Sequence, residues 1–154
     1  MSQAPIPLPV QHDALLKEVF GLRTRVFVDE QAVDAALEFD EFEETSQHWA
    51  SVLDGQVYAC ARYRRTPKGY KIERMAVDSR FRNRGIGRDL LQRILTEIRP
   101  LALAENCPIY LHAQVQALPF YTNLGFVAEG DEFDEAGIAH YRCRYADPLA
   151  NQIR

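Results

Sequence analysis

The sequence predicts an α/β fold built as a single domain over residues 1–154, one sheet with helices on its faces, in the order α(α)βββαβαββ. Three observations predict it. A chain of 154 residues has the size of one compact domain with one core. Helical and strand periodicities alternate along it without an internal repeat or a linker. A tight, glycine-containing turn at Arg82–Gly87 carries a strand directly into an amphipathic helix.

The elements follow in order. Pro5, Pro7 and Pro9 predict an extended start, after which Leu15, Leu16, Val19, Leu22, Val26 and Phe27 recur at helical spacing behind a His12-Asp13 cap. Residues 29–47 are acidic and read as a loop with room for a short second helix. Trp49 to Leu53, an Asp54-Gly55 turn and Gln56 to Tyr63 read as a hairpin. Thr66 to Gly69 turns the chain into a strand from Tyr70 to Val77. Ile86, Leu90, Leu91, Ile94, Leu95 and Ile98 then line one face of a helix, with Pro100 as its expected stop. Ile109 to Gln114 reads as a strand, and Ala117 to Asn123 as a short helix with Pro119 in its first turn and Gly125 as its stop. Phe126 to Glu129 and Ile138 to Tyr145 close the chain as two strands joined across Asp134 and Gly137.

Composition narrows the function classes. At 47% hydrophobic and 26% charged the chain is globular, and its net charge of −4 argues against nucleic acid as a partner. No apolar run reaches the roughly 20 residues that cross a bilayer, and no basic-then-apolar leader opens the chain, so a cytoplasmic protein without a membrane partner is expected. Cys60, Cys107 and Cys143 are widely spaced with no Cys-x-x-Cys pair, which predicts reduced thiols and no metal. The charge is uneven. Arg80, Arg82, Arg84 and Arg88 crowd one turn, whereas Asp34, Glu38, Asp40, Glu41, Glu43 and Glu44 crowd another stretch, which predicts one cationic and one anionic patch.

The arginine turn carries the strongest chemical signal. Gly85 and Gly87 let the backbone turn tightly against a ligand, and the helix that begins there directs unpaired N–H groups and its positive dipole end outward. A diphosphate fits that arrangement, with flanking arginines adding charge-assisted hydrogen bonds. A nucleotide P-loop would require Gly-Lys-Ser/Thr, and a dinucleotide fingerprint a third glycine where Leu90 stands.

Arg82-x-x-Gly85-x-Gly87 after Ala76-Val77, followed by Gln114-x-x-Ala117-x-x-Phe120-Tyr121 and Gly125-Phe126, resembles the coenzyme A signature of the GNAT superfamily of N-acetyltransferases. Arg25-x-Phe27-Val28-x-Glu30-Gln31, Glu38-x-Asp40, His48, Ala113-Gln114 and Asp134-x-x-Gly137-Ile138-x-His140 are similar to its ElaA/YjcF-like branch, and the resemblance spans nearly the whole chain. It implies an α+β, mixed and mostly antiparallel sheet and acetyl-CoA as co-substrate. It further implies that backbone amides of Arg82, Asn83, Arg84, Gly85, Ile86, Gly87 and Arg88 hold the diphosphate. Met75, Ala76 and Val77 would pair with the pantetheine arm, and Phe120 and Tyr121 would flank it. Gln114 stands where the superfamily often has Asn, which keeps an amide on a longer arm.

Acetyl transfer to an amine needs a base for the amine proton and a donor for the departing thiolate. Tyr121 is the candidate acid, a role the family often gives to tyrosine; the alternative is core packing with its hydroxyl bound to a carbonyl. Glu73 is the candidate base, its pKa expected to rise by desolvation, and a salt bridge to Lys71, Arg74 or Arg62 is its alternative. His112, His140 and Glu30 compete with it. The resemblance puts the acceptor pocket between the first helices and the last hairpin, with Phe27, Glu30, Gln31, His48, Arg74 and His140 as substrate-binding candidates. The acidic run from Glu38 to Glu44 adds the expectation of a cationic small amine, such as a polyamine or amino sugar. The competing readings are a peptide or protein N-acetyltransferase and a coenzyme A-binding regulatory module, and the chain is expected as a monomer or homodimer.

Overall fold

The computed structural model describes residues 3–148. Its strands are β1 (Ile6–Pro9), β2 (Gln47–Leu53), β3 (Gln56–Thr66), β4 (Gly69–Val77), β5 (Ile109–Gln114), β6 (Phe126–Glu135) and β7 (Ile138–Tyr145). They form one seven-stranded sheet in the order β1-β2-β3-β4-β5-β7-β6. Every neighbouring pair is antiparallel except β4 and β5. The expected mixed, mostly antiparallel α/β sheet is therefore the observed one.

His12 caps α1 (Asp13–Arg23), its Nδ1 accepting from the backbone N–H of Leu15 at 3.2 Å. From Thr24 the helix widens into a seven-residue π-helix, Thr24–Glu30. This rare form recurs at functional sites, and here both Val26 and Phe27 are buried. The acidic stretch contains only the single turn α2 (Ala35–Glu38), capped by Asp34 through the N–H of Ala36.

Residue alternation assigns the two faces of the sheet. On β3, Ala59, Ala61 and Tyr63 join the core beneath α3 (Ile86–Glu105), while Cys60 joins the core beneath α1. Leu90, Leu91, Ile94 and Ile98 are fully buried along α3, each contributing roughly 1.5–3 kcal/mol of burial. The short helix α4 (Leu118–Thr122) adds Tyr121 to the same layer.

Two expectations are corrected. The proline-rich start is an edge strand, β1, antiparallel to β2, a place where prolines are tolerated because the outer N–H groups have no ladder to join. Pro100 does not stop α3, which runs on to Glu105 and ends at Asn106 in the left-handed conformation. Pro100 and Thr96, whose carbonyl it frees, are both exposed, so water can serve that carbonyl, and beyond it the buried Ala102 keeps the helix packed. The three cysteines are free; Cys60 and Cys143 are buried and Cys107 is half-buried. Burial pushes the Cys60 thiol up to about 12.

Candidate active site

The parallel pair β4 and β5 builds the site by separating. Their ladder runs only from Tyr70, Lys71 and Ile72 to Ile109, Tyr110 and Leu111. Beyond it β4 continues to Val77 and β5 to Gln114 with no further pairing between them, which opens a wedge in the sheet with strand edges on both sides. A bulge in β4 contributes: Cys60 and Arg62 on β3 face Ala76 and Glu73, so β4 holds one extra residue there. Arg74 takes φ +58° at that bulge. Its guanidinium is held by the carbonyls of Glu38 and Leu37 and by Asp40 Oδ2 at 3.1 Å.

The wedge opens into a cleft of about 1030 Å³. All of the expected cofactor residues line it: Met75, Ala76 and Val77 on β4, Arg82 to Arg88 at the entry to α3, Gln114, Phe120 and Tyr121. Gly85 is the N-cap of α3 at φ +80°, with no side chain capping the helix, so its first N–H groups are open to a ligand. A Cβ on Gly87 would stand 3.1 Å from Val77 and 3.5 Å from Phe120, so glycine there preserves the narrow approach between helix and strand. These features fit a phosphate-bearing ligand with a thin arm.

The arginines divide their work. Arg80 is held by Asp78, at 3.1 Å from each carboxylate oxygen. Arg82 grips Glu30 through two hydrogen bonds of 2.8 and 2.9 Å and donates to the Val77 carbonyl, which ties the end of the π-helix to the helix-entry turn. Gln31 makes the companion tie, accepting from the Gln114 amide at 2.9 Å. Arg84 lies over Phe81 and Arg88 lies 3.9 Å from Asp89. The expected cationic patch is thus partly neutralised, with Arg84 and Arg88 its freer members.

Among the catalytic candidates, Tyr121 is buried and packs edge-on against Phe120 and Phe126. Its hydroxyl has no hydrogen-bond partner among the described residues. Desolvation pushes the phenol well above its usual range, which keeps it protonated. Glu73 behaves opposite to expectation. Burial alone would raise its pKa, but hydrogen bonding by Arg64 and the charges of Lys71 and Arg62 hold the carboxyl down at about 2. Arg62 lies 2.5 Å away and Arg64 and Lys71 3.0 Å each, so the salt-bridge alternative describes it.

His140 is buried and lines the cleft, its Nδ1 donating to the Ile138 carbonyl at 2.7 Å. That bond leaves Nε2 as the nitrogen able to accept a proton. His112 Nδ1 lies 3.0 Å from Glu135 Oε1, and Glu135 Oε2 lies 3.6 Å from His140 Nε2. The hydrogen bond from His112 holds the Glu135 carboxyl below its usual range. Glu135, at the tip of β6, is the residue that sequence reasoning missed; only its two-residue distance from Gly137 pointed to that hairpin.

Phe27, Gln31, Arg74 and His140 line the cleft together, but Glu30 and His48 do not. Glu30 is occupied with Arg82. His48 is buried behind the cleft with Nε2 2.7 Å from the Glu43 carbonyl, and desolvation lowers its pKa, so it serves as a neutral structural donor. The anionic patch is also corrected: Glu38, Asp40 and Glu43 turn inward onto Arg23, Arg62 and Arg74, leaving Asp34, Glu41 and Glu44 exposed. The described residues contain no group of three or more His, Cys, Asp and Glu able to hold a metal, and none of their helices is long and apolar enough to cross a membrane.

Comparison with known proteins agrees with this fold. The chain is 37% identical over 132 residues to YjcF, an uncharacterized N-acetyltransferase of Bacillus subtilis, covering 84% of this chain and 91% of that protein. An acyl-CoA N-acyltransferase from Pseudomonas aeruginosa superposes with a TM-score of 0.79 at 29% identity, over 92% of this chain and 99% of that one. Escherichia coli ElaA shares the fold at a TM-score of 0.79 and 21% identity, over 90% of this chain and 99% of its own. Residues 11–146 match the family model of the acetyltransferase (GNAT) domain, and the chain belongs to that family as an acyltransferase.

Proposed function

We propose that the chain is an acetyl-CoA-dependent N-acetyltransferase acting by direct transfer on the primary amine of a small acceptor. The observation that carries this reading is the wedge between β4 and β5, lined at one end by the open N-terminus of α3 and farther in by Tyr121 and His140. Acetyl-CoA would supply the acyl group as an activated thioester. The amides from Arg82 to Arg88 would hold its diphosphate, and the free β4 edge at Met75, Ala76 and Val77 its arm, with Gln114 and Phe120 alongside.

Two side chains then handle the protons. His140 Nε2 takes the proton of the attacking amine as the C–N bond forms, and the Tyr121 hydroxyl protonates the thiolate as the C–S bond breaks. Glu73 is a poor base because three cations stabilise its ionised form. His112 also lines the cleft, but its Nδ1 is engaged with Glu135 at 3.0 Å, whereas the His140 Nδ1 bonds a backbone carbonyl and leaves Nε2 for the proton, which favours His140 for that role. Phe27, Gln31 and Arg74 line the acceptor side. A preference for cationic amines loses support where Glu38, Asp40 and Glu43 are already paired.

The test is thiol release from acetyl-CoA over a panel of small amines, beside calorimetric binding of the co-substrate. Turnover of at least one small amine is expected, and the His140→Gln protein should bind acetyl-CoA yet lose roughly 10²-fold in kcat. Tight binding with no turnover on any amine would overturn the proposal in favour of a binding module.

A further inference from the structure

The composition suggests an acidic acceptor site, but the geometry sets cations among the carboxylates on the surface that a substrate meets. The ion network beside the cleft joins five cations, Arg23, Arg62, Arg64, Lys71 and Arg74, to four carboxylates, Glu38, Asp40, Glu43 and Glu73. Arg23 and Arg62 form its buried centre, each with a side chain 1% exposed. Glu38 and Glu73 are almost as deep, at 4% and 5%. Six members of the network line the cleft, the carboxylates Glu38, Asp40 and Glu73 and the cations Arg64, Lys71 and Arg74, whose side chains are 18%, 16% and 22% exposed. Asp40 also reaches the cleft, yet both its oxygens are engaged by Arg62 and Arg74.

Arg64 and Lys71 are the under-compensated pair. Both approach the same oxygen of Glu73, Oε1, at 3.0 Å, while Oε2 is held by Arg62. One carboxylate shared among three cations leaves residual positive charge on the two that face outward. Glu135, between His112 and His140, adds a carboxylate to the same cleft.

Resting on the acetyltransferase reading above, we infer that the acceptor is an amine carrying a carboxylate, of the amino-acid class. Its ammonium is drawn to Glu135 beside His140 and its carboxylate is held by Arg64 and Lys71. Charge-assisted hydrogen bonds from two partly desolvated cations favour such an acceptor over a neutral-tailed amine by about tenfold or more.

The experiment compares kcat/KM for 4-aminobutyrate, n-butylamine and 1,4-diaminobutane, amines of similar basicity that differ in the charge of the far end. The expected order places 4-aminobutyrate about tenfold or more ahead of both. The Arg64→Gln/Lys71→Gln protein, checked for folding by its acetyl-CoA binding, should show that ratio reduced toward one. A second measurement on the unaltered protein does not depend on the variant folding. Raising salt from about 0.1 M to about 1 M, where the screening length falls from roughly 10 to 3 Å, should shrink the preference. Equal or faster turnover of butylamine or the diamine overturns the inference while leaving the acetyltransferase reading intact. Binding of acetyl-CoA with no turnover of any of the three overturns this inference, and no turnover across the wider amine panel overturns both.

Discussion

Replacing Tyr121 by phenylalanine separates chemistry from packing, because the two roles reside in different parts of the side chain. The ring packs edge-on against Phe120 and Phe126, with centroids 5.0 and 6.0 Å away, and phenylalanine preserves those contacts. The hydroxyl has no hydrogen-bond partner to lose among the described residues, so the usual penalty of about 0.5–1.5 kcal/mol for a broken hydrogen bond does not apply. Stability should stay within about 0.5 kcal/mol of the parent, and the thermal midpoint within a few degrees. Catalysis should respond quite differently. Burial holds the phenol protonated, the state an acid must have, and a positioned acid is worth roughly 10²–10⁴ in rate, or about 3–5 kcal/mol of barrier. The assay is steady-state thiol release with the best amine of the panel, alongside calorimetric acetyl-CoA binding and thermal unfolding. A fall of 10²-fold or more in kcat with unchanged binding and midpoint is expected. A kcat within about threefold of the parent would refute the assignment, as would a loss of activity that merely followed a loss of stability.

Two further perturbations test the surroundings. Glu73 has a folded pKa of about 2 against an ordinary 4.5; a depressed carboxyl stabilises the fold above its unfolded pKa, so this contribution of about 3 kcal/mol is present at pH 7 and is lost as pH falls from 4.5 toward 2. The destabilisation caused by Glu73→Gln, read from urea unfolding midpoints, should therefore shrink between pH 7 and pH 3, and an equal penalty at both would contradict the ion-pair account. Gly87→Ala puts a methyl 3.1 Å from Val77 and 3.5 Å from Phe120, so acetyl-CoA binding should weaken about tenfold, whereas stability should change by no more than about 1 kcal/mol, the helix preference of alanine being offset by the tight contact with Val77. Unaltered affinity by calorimetry would show that the approach between helix and strand is not part of the binding site.

Much of the site was legible because its signals are local. Gly85 and Gly87 after Val77 announce a strand, a tight turn and an open helix start within a few residues, and the chain folds them that way. The residues expected to hold the cofactor lie along three short pieces of chain, so naming the pieces names much of the cleft lining. The acid-base candidates were half legible. Tyr121 and His140 line the cleft as expected, but the state of Glu73 could not be read from its strand position, because its pKa is decided by Arg62 and Arg64 arriving from β3. Glu135 was missed because a glutamate near a hairpin turn looks like solvated surface until two histidines from β5 and β7 are placed beside it.

The sequence by itself determined the order of elements after the first strand, the helix-entry turn and the family, since periodicity, capping and glycine placement act over a turn or a strand. Only the tertiary structure decided where the charges point. Arg23 meets Glu43 twenty residues away and Arg62 meets Asp40 twenty-two away, so an acidic run that reads as an anionic rim is drawn inward onto buried arginines. Arg64, Lys71 and Arg74 are left facing the cleft. The reason is physical: local propensity follows from neighbours in the chain, whereas the cost of burying an ion is met only by a partner that the fold brings to it.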